Sequence, residues 1–217
     1  MKYLKILGLA AIVAAAFTAL VGVGSASAAS ELCKEKVSPC PAASVYPAGT
    51  VLEATSTNAT LTSSLGNVVC THSLITGKTT TAGSTKTNVE GLIEKVSFTG
   101  CSLTTPFSGG THACSVTAIN LSWKAVLVKT VAPNGTLTVS SGGLGDPGAK
   151  VDCGANVLRC QFTSSAIALD VTGGAPATIL AKEEPLTRTV YEGGLCPSSA
   201  TWDANYTVIK PNPLYVS

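Results

Sequence analysis

The sequence predicts an all-β fold stapled by disulfides, an antiparallel β-sandwich with a barrel as the alternative. Three observations support this class. Apolar and polar residues alternate with a period of two in many short runs, turn-forming residues separate the runs roughly every ten residues, and the chain has eight cysteines. The runs are rich in Thr and Val, whose β-branched side chains favour strands.

The chain begins with the features of a secretory signal peptide. Lys2 and Lys5 form a cationic start, residues 6–23 form an apolar run broken only by Thr18, and residues 26–28 (Ala-Ser-Ala) form a small-residue cleavage site. We expect cleavage after Ala28. A retained membrane helix is the alternative, but it lacks the charged stop-transfer flank that this reading requires. No cysteine directly follows the small residues, so we expect no lipid anchor and no stable membrane anchor after cleavage.

The mature chain is predicted to have two parts. Residues 29–48 hold two cysteines and three prolines, which indicates an irregular, disulfide-stapled N-terminal segment. Residues 49–217 form a single all-β domain, because the two-residue alternation begins near Thr50 and continues to the end of the chain.

Four runs give the clearest strands, each with one face predicted to be buried. The inward residues are Leu92, Glu94, Val96 and Phe98 in the first run; Trp123, Ala125 and Leu127 in the second; Ile167, Leu169 and Val171 in the third; and Trp202, Ala204, Tyr206 and Val208 in the last.

Turn signals lie between the runs. Asn134-Gly135 predicts a hairpin with a tight turn, because such turns need positive φ at both central residues. Thr76-Gly77-Lys78 is a second predicted turn, and Gly173-Gly174 is a third.

All eight cysteines are candidates for disulfides, since an even number in an exported protein favours oxidation. The spacings contain no Cys-x-x-Cys pair, which argues against zinc, and we expect no cofactor. Proximity along the chain predicts three local bonds and one long-range bond. The pairs are Cys33 with Cys40, Cys101 with Cys114, Cys153 with Cys160, and Cys70 with Cys196.

The charge balance excludes a nucleic-acid partner. Without Lys2 and Lys5 the chain keeps 12 basic side chains against 12 acidic ones, and no basic cluster is present to bind phosphates. We expect an extracellular or cell-envelope partner instead.

Candidate catalytic residues are few. A nucleophile triad needs a histidine base, and the chain has only His72 and His112, neither in a nucleophile motif. Glu183-Glu184 is read as a solvated strand end, and Asp146-Pro147-Gly148 as a turn rather than a calcium loop. Trp123 and Trp202 are read as core residues rather than a carbohydrate platform, because both fall on the apolar side of their strands.

Residues 196–208 and the end of the chain at 213–217 resemble a group of uncharacterised secreted actinobacterial proteins. Residues 96–101 and 120–125 are more distantly similar to the PraB family, secreted proteins named for activating alkane oxidation. That family tends to have Gly-Leu-Pro-Trp where this chain has Asn-Leu-Ser-Trp at 120–123. The resemblance implies export but no activity.

These observations favour an exported, non-catalytic protein, either a cell-envelope component or a binder of apolar or extracellular material. The alternative is a secreted hydrolase with a site assembled around His72 or His112. A third hypothesis is a protease-inhibitor-like module that presents the loop between Cys101 and Cys114.

Overall fold

The computed structural model describes residues 29–105, 110–154 and 157–217. The predicted signal peptide, residues 1–28, lies outside the described residues. One 3-10 helix, Ala42–Ser44, accompanies the strands of the described chain. The strands are β1 Leu32–Cys33, β2 Val51–Ser56, β3 Ala59–Ser63, β4 Gly66–Thr79, β5 Val89–Thr104, β6 Thr111–Ile119, β7 Trp123–Lys129, β8 Gly135–Ser140, β9 Gly148–Asp152, β10 Leu158–Thr163, β11 Ala166–Thr172, β12 Thr178–Gly194, β13 Ser199–Lys210 and β14 Tyr215–Val216.

The twelve strands from β2 to β13 form one antiparallel sheet that closes on itself. Strands β4, β5, β12 and β13 are long and take part in both halves of the closed sheet. In the lower half the order is β5-β7-β8-β11-β12-β13-β2-β4 and back to β5; in the upper half it is β5-β6-β9-β10-β12-β13-β3-β4 and back to β5. The predicted all-β antiparallel class is therefore confirmed. Of the sandwich and the barrel that the sequence left open, the closed sheet corresponds to the barrel.

Three of the predicted strand faces are confirmed. Along β11, Ile167, Leu169 and Val171 are buried while the residues between them are exposed. In β7 the predicted residues are buried between half-buried ones, and in β13 Ala204, Tyr206 and Val208 are buried while Trp202 is half-buried, because successive side chains of a strand point to opposite sides of the sheet.

The predicted face of β5 is wrong in part. The register with β4 pairs Thr76 with Lys95 but Gly77 with Ile93, so Glu94 is an extra residue in β5. This β-bulge turns Ile93 inward with Val96 and leaves Glu94 exposed, where its carboxylate lies 2.6 Å from Lys78 Nζ. A bulge shifts the side-chain alternation by one residue, which a strict period of two does not anticipate.

Two turn predictions also need correction. Gly77 lies inside β4, where a Cβ would come 2.5 Å from the carbonyl oxygen of Leu92, so the glycine permits close strand approach. The β7–β8 hairpin is present, but Gly135 already belongs to β8. Its turn is the longer 130–134 segment, closed by the Thr130 amide on the Asn134 carbonyl oxygen.

The two ends of the described chain close the lower half of the sheet. Strand β1 pairs with β14, and Leu32, Leu214 and Val216 are buried there. Ser30 Oγ donates to the Leu127 carbonyl at 2.6 Å and accepts from the Val89 amide at 3.0 Å, so this segment is bonded to β7 and β5. Among the described residues, none lies in a helix of the length and apolarity needed to cross a bilayer.

Candidate functional site

In the described part of the chain, each half of the closed sheet has an interior cavity. The lower cavity has a volume of about 100 Å³. Its wall is mainly apolar, although Glu53, Lys78, Thr79 and Glu90 also border it, and its inward apolar side chains come from the lower strands and from the two chain ends. They include Leu32, Ala54, Ala125, Leu137, Val171 and Leu214.

The upper cavity has a volume of about 60 Å³. Both tryptophans of the chain line it, together with apolar side chains of the upper strands. These include Val96, Phe98, Val151 and Leu186. The described residues around it include no Asp, Glu, Lys, Arg or His, so this part of the wall is uncharged.

A buried hydrogen bond lies between the two cavities. Ser73 Oγ and Tyr206 Oη are 2.9 Å apart, and both residues are completely buried. Ser73 follows Cys70 of the upper cavity and precedes Ile75 of the lower one along β4. Burial raises the pKa of Tyr206 to about 12, although the hydrogen bond with Ser73 lowers it in part. The phenol is therefore neutral at physiological pH.

The two tryptophans differ in how their indole N–H groups are satisfied. Trp123 Nε1 donates to the carbonyl oxygen of Ile119 at 2.9 Å. Trp202 Nε1 is buried and has no hydrogen-bond partner among the described residues. The Trp202 ring packs edge-on against Tyr206, with ring centroids 6.1 Å apart. Trp123 is buried in the core as the sequence predicts, whereas Trp202 is half-buried and packs against the core, and both side chains line the upper cavity.

All eight cysteines are paired, but only Cys33–Cys40 follows the predicted connectivity. The other three predicted bonds are wrong. The observed pairs are Cys70–Cys101, Cys114–Cys153 and Cys160–Cys196.

The strand register explains these differences. Cys101 lies directly opposite Cys114 on one side, as proximity suggests, but directly opposite Cys70 on the other. Cys153 follows the pair Ser115–Asp152, which puts it across from Cys114. Cys160 faces Val151 rather than Cys153 in the β9–β10 pairing, so these two cysteines are offset by two residues. Sequence distance therefore does not choose among cross-strand neighbours.

The histidines of the hydrolase alternative lie on separate strands. His72 is exposed on β4, opposite Thr99 of β5, and His112 is partly exposed on β6, opposite Leu103 of β5. Within the described ranges, neither imidazole makes a hydrogen bond or ion pair with a hydroxyl or a carboxylate. The structure does not bring the two residues together in one cleft with an acid.

The remaining acidic candidates make local contacts. Glu184 Oε2 accepts from the Ala168 amide at 2.9 Å, and Glu183 sits in the bulge of β12 with φ of 50°. The carbonyl oxygen of Asp146 accepts from Asn120 Nδ2 at 2.8 Å. The described part of the chain contains no group of three His, Cys, Asp or Glu side chains able to hold a metal ion.

The cavities were not predicted from the sequence. The sequence feature that indicates them is the set of small residues at inward positions: Ala54, Gly91 and Ala125 in the lower half, and Ala59 and Ala149 in the upper half. Small side chains at facing positions leave space only if the sheet closes around them. These residues therefore indicate a cavity only when the strand order is known.

No protein-family model, curated protein or solved structure has a significant match to this chain. Its function therefore has to be inferred from the cavities and the side chains around them.

Proposed function

We propose that this chain is an exported, non-catalytic binding protein that holds a small apolar molecule inside the closed sheet. The observation that carries the proposal is the lower cavity of about 100 Å³ with its mainly apolar wall. Protein interiors are normally packed to the density of organic crystals, and empty space costs the surrounding side chains their dispersion contacts. An occupant of the right size restores those contacts.

The size and polarity of the lower cavity define the occupant class. Apolar cavities of about 150 Å³ stay dry and bind benzene or xenon. The lower cavity is about two-thirds of that volume, which suits a compact hydrocarbon or a xenon atom rather than a sugar or a peptide.

The scaffold around the cavity also supports a binding role outside the cell. The chain has four disulfides, which fits an oxidising compartment. The resemblance to secreted actinobacterial proteins and to the PraB family belongs to the same proposal, because both groups are exported. We propose that residues 1–28 are removed during export and that the mature protein begins at Ala29. Mass spectrometry of the protein from culture medium tests that start directly.

Xenon is the direct test of the cavity. We expect methyl NMR signals of Leu127 and Val171, which line the lower cavity, to shift when the mature protein is placed under xenon. Ala125→Leu fills the cavity and should remove the shift. Ala168→Leu makes the same change at an exposed position of β11 and should retain it.

Two outcomes contradict the proposal. One is a folded protein in which no interior methyl signal responds to xenon. The other is a response that is the same in Ala125→Leu as in the unaltered protein. Either result would favour a purely structural role in the cell envelope.

A further inference from the structure

The indole N–H of Trp202 is an unused donor in an apolar setting. Its Nε1 atom is buried without a hydrogen-bond partner in the described chain, and Trp202 lines the upper cavity. Buried polar groups in native proteins are nearly always paired, so an exception calls for an explanation. Indole nitrogen is a donor only, which means that its missing partner is an acceptor.

The surroundings limit what that acceptor is. The described wall of the upper cavity carries no ionisable side chain, so a charged ligand would lose its hydration without compensation. Thr60, also at this cavity, already donates its hydroxyl to Asn58 Oδ1 at 3.2 Å. Trp123 Nε1 is occupied by the Ile119 carbonyl. Trp202 Nε1 is therefore the one free side-chain donor among the described residues around this cavity, and because the atom is fully buried a ligand oxygen reaches it only when the neighbouring side chains shift.

The volume limits its size. A water needs about 10–15 Å³ of such space, so a cavity of about 60 Å³ admits a molecule of roughly four to six non-hydrogen atoms. A buried water needs two to four polar partners, which a single indole N–H does not provide.

We propose that the upper cavity binds a small, uncharged, mainly apolar molecule with one carbonyl or ether oxygen, and that this oxygen accepts a hydrogen bond from Trp202 Nε1. This inference rests on the proposed binding function and adds a polar requirement to it. Lys78 and Thr79 also border the lower cavity, but Lys78 Nζ pairs with Glu94 and the Thr79 hydroxyl donates to the Pro47 carbonyl oxygen, so that cavity accepts a pure hydrocarbon or xenon.

The test uses two probes of the same shape, 2-butanone and 2-methyl-1-butene, which differ by an oxygen in place of a methylene. The mature protein has two tryptophans and hence two indole signals in a ¹H–¹⁵N correlation spectrum. We expect 2-butanone to move the Trp202 indole proton downfield, as a new hydrogen bond does, and 2-methyl-1-butene to leave it without that shift.

Matched variants assign the effect. Trp202→Phe keeps an aromatic ring but removes the donor, and it should weaken 2-butanone binding about five- to tenfold while changing 2-methyl-1-butene binding little. Trp123→Phe removes an N–H that is already bonded and should retain the preference for the ketone. If Trp202→Phe does not fold, the indole shift in the unaltered protein still tests whether the ketone oxygen bonds Trp202 Nε1.

The outcomes distinguish failure of this inference from failure of the proposed function on which it rests. Equal binding of the two probes with no downfield shift at Trp202 would overturn the inference while leaving hydrocarbon binding intact. A water bound at Trp202 Nε1 that 2-butanone does not displace would overturn it too. Failure of xenon and of both probes to perturb the folded protein would overturn the proposed function itself.

Discussion

The hydroxyl of Ser73 and the phenol of Tyr206 meet 2.9 Å apart in the middle of the closed sheet. They belong to β4 and β13, two strands that are separated by β2 in the lower half and by β3 in the upper half. The hydrogen bond therefore ties strands that are not paired at this level, and it forms the polar partition between two apolar cavities.

Removing one partner of this bond should cost more than removing both. Tyr206→Phe leaves the fully buried Ser73 hydroxyl without its partner, and we expect a loss of about 1–3 kcal/mol in the free energy of unfolding. Ser73→Ala should behave similarly. The double variant should lose much less stability than the sum of the two single-variant losses. Urea unfolding of all four proteins measures this as a double-mutant cycle. Strict additivity would show that the bond contributes nothing.

Stability should fall at alkaline pH because of Tyr206. Burial raises its pKa to about 12 from the usual value of 10.0, so the folded state holds the proton more tightly than the unfolded state does. Stability from this group is fully present below pH 10 and is lost as pH rises towards 12, by about 2–3 kcal/mol.

Tyr206→Phe should remove most of that pH dependence. A smaller decline should persist, because burial also raises the pKa of Tyr46. Unfolding measurements from pH 8 to pH 12 compare the two proteins, and identical slopes would exclude Tyr206 as the source.

Ser30, which lies just before β1, should be important for stability. Ser30 is completely buried and bonds both the Leu127 carbonyl and the Val89 amide. Ser30→Ala leaves both backbone groups unpaired, with an expected loss of about 1–3 kcal/mol. Ser164→Ala is the control, because its hydroxyl bonds Ala166 in an exposed turn and its removal should cost within about 0.5 kcal/mol. Equal thermal midpoints for the two variants would contradict this.

The disulfides should differ in how much they stabilise the fold, according to the length of the loop that each one closes. Cys160 and Cys196 are 36 residues apart, whereas Cys33 and Cys40 are 7 apart. In the chain-entropy treatment, removing the longer bond with paired alanines should cost about 1.5 kcal/mol more than removing the shorter one. Urea unfolding of the two double variants measures the difference, and the reverse order would show that native contacts outweigh loop entropy.

Sequence reasoning was most successful where a single strand decides the outcome. Ile167, Leu169 and Val171 are buried as their alternation predicts, since side-chain direction follows from local backbone geometry. It failed at Glu94, where an extra residue in one strand matters only relative to the neighbouring strand. The pairing predicted for Cys101 was wrong for a related reason. Cys101 has a cysteine opposite it on each side, and distance along the chain favours the wrong one. The unpaired N–H of Trp202 needs the whole upper cavity to be recognised.

The position of Cys101 between Cys70 and Cys114 has a consequence for biosynthesis. A chain oxidised as Cys101–Cys114 joins residues that are already opposite in the native β5–β6 register. That isomer keeps the same strand pairing and leaves Cys70 and Cys153 as free thiols, so sheet formation does not reject it. If that isomer forms first, the Cys70 thiolate can attack the Cys101 sulfur and release Cys114, and an oxidant then closes Cys114–Cys153, so the native pairing is reached by thiol exchange within an already formed sheet.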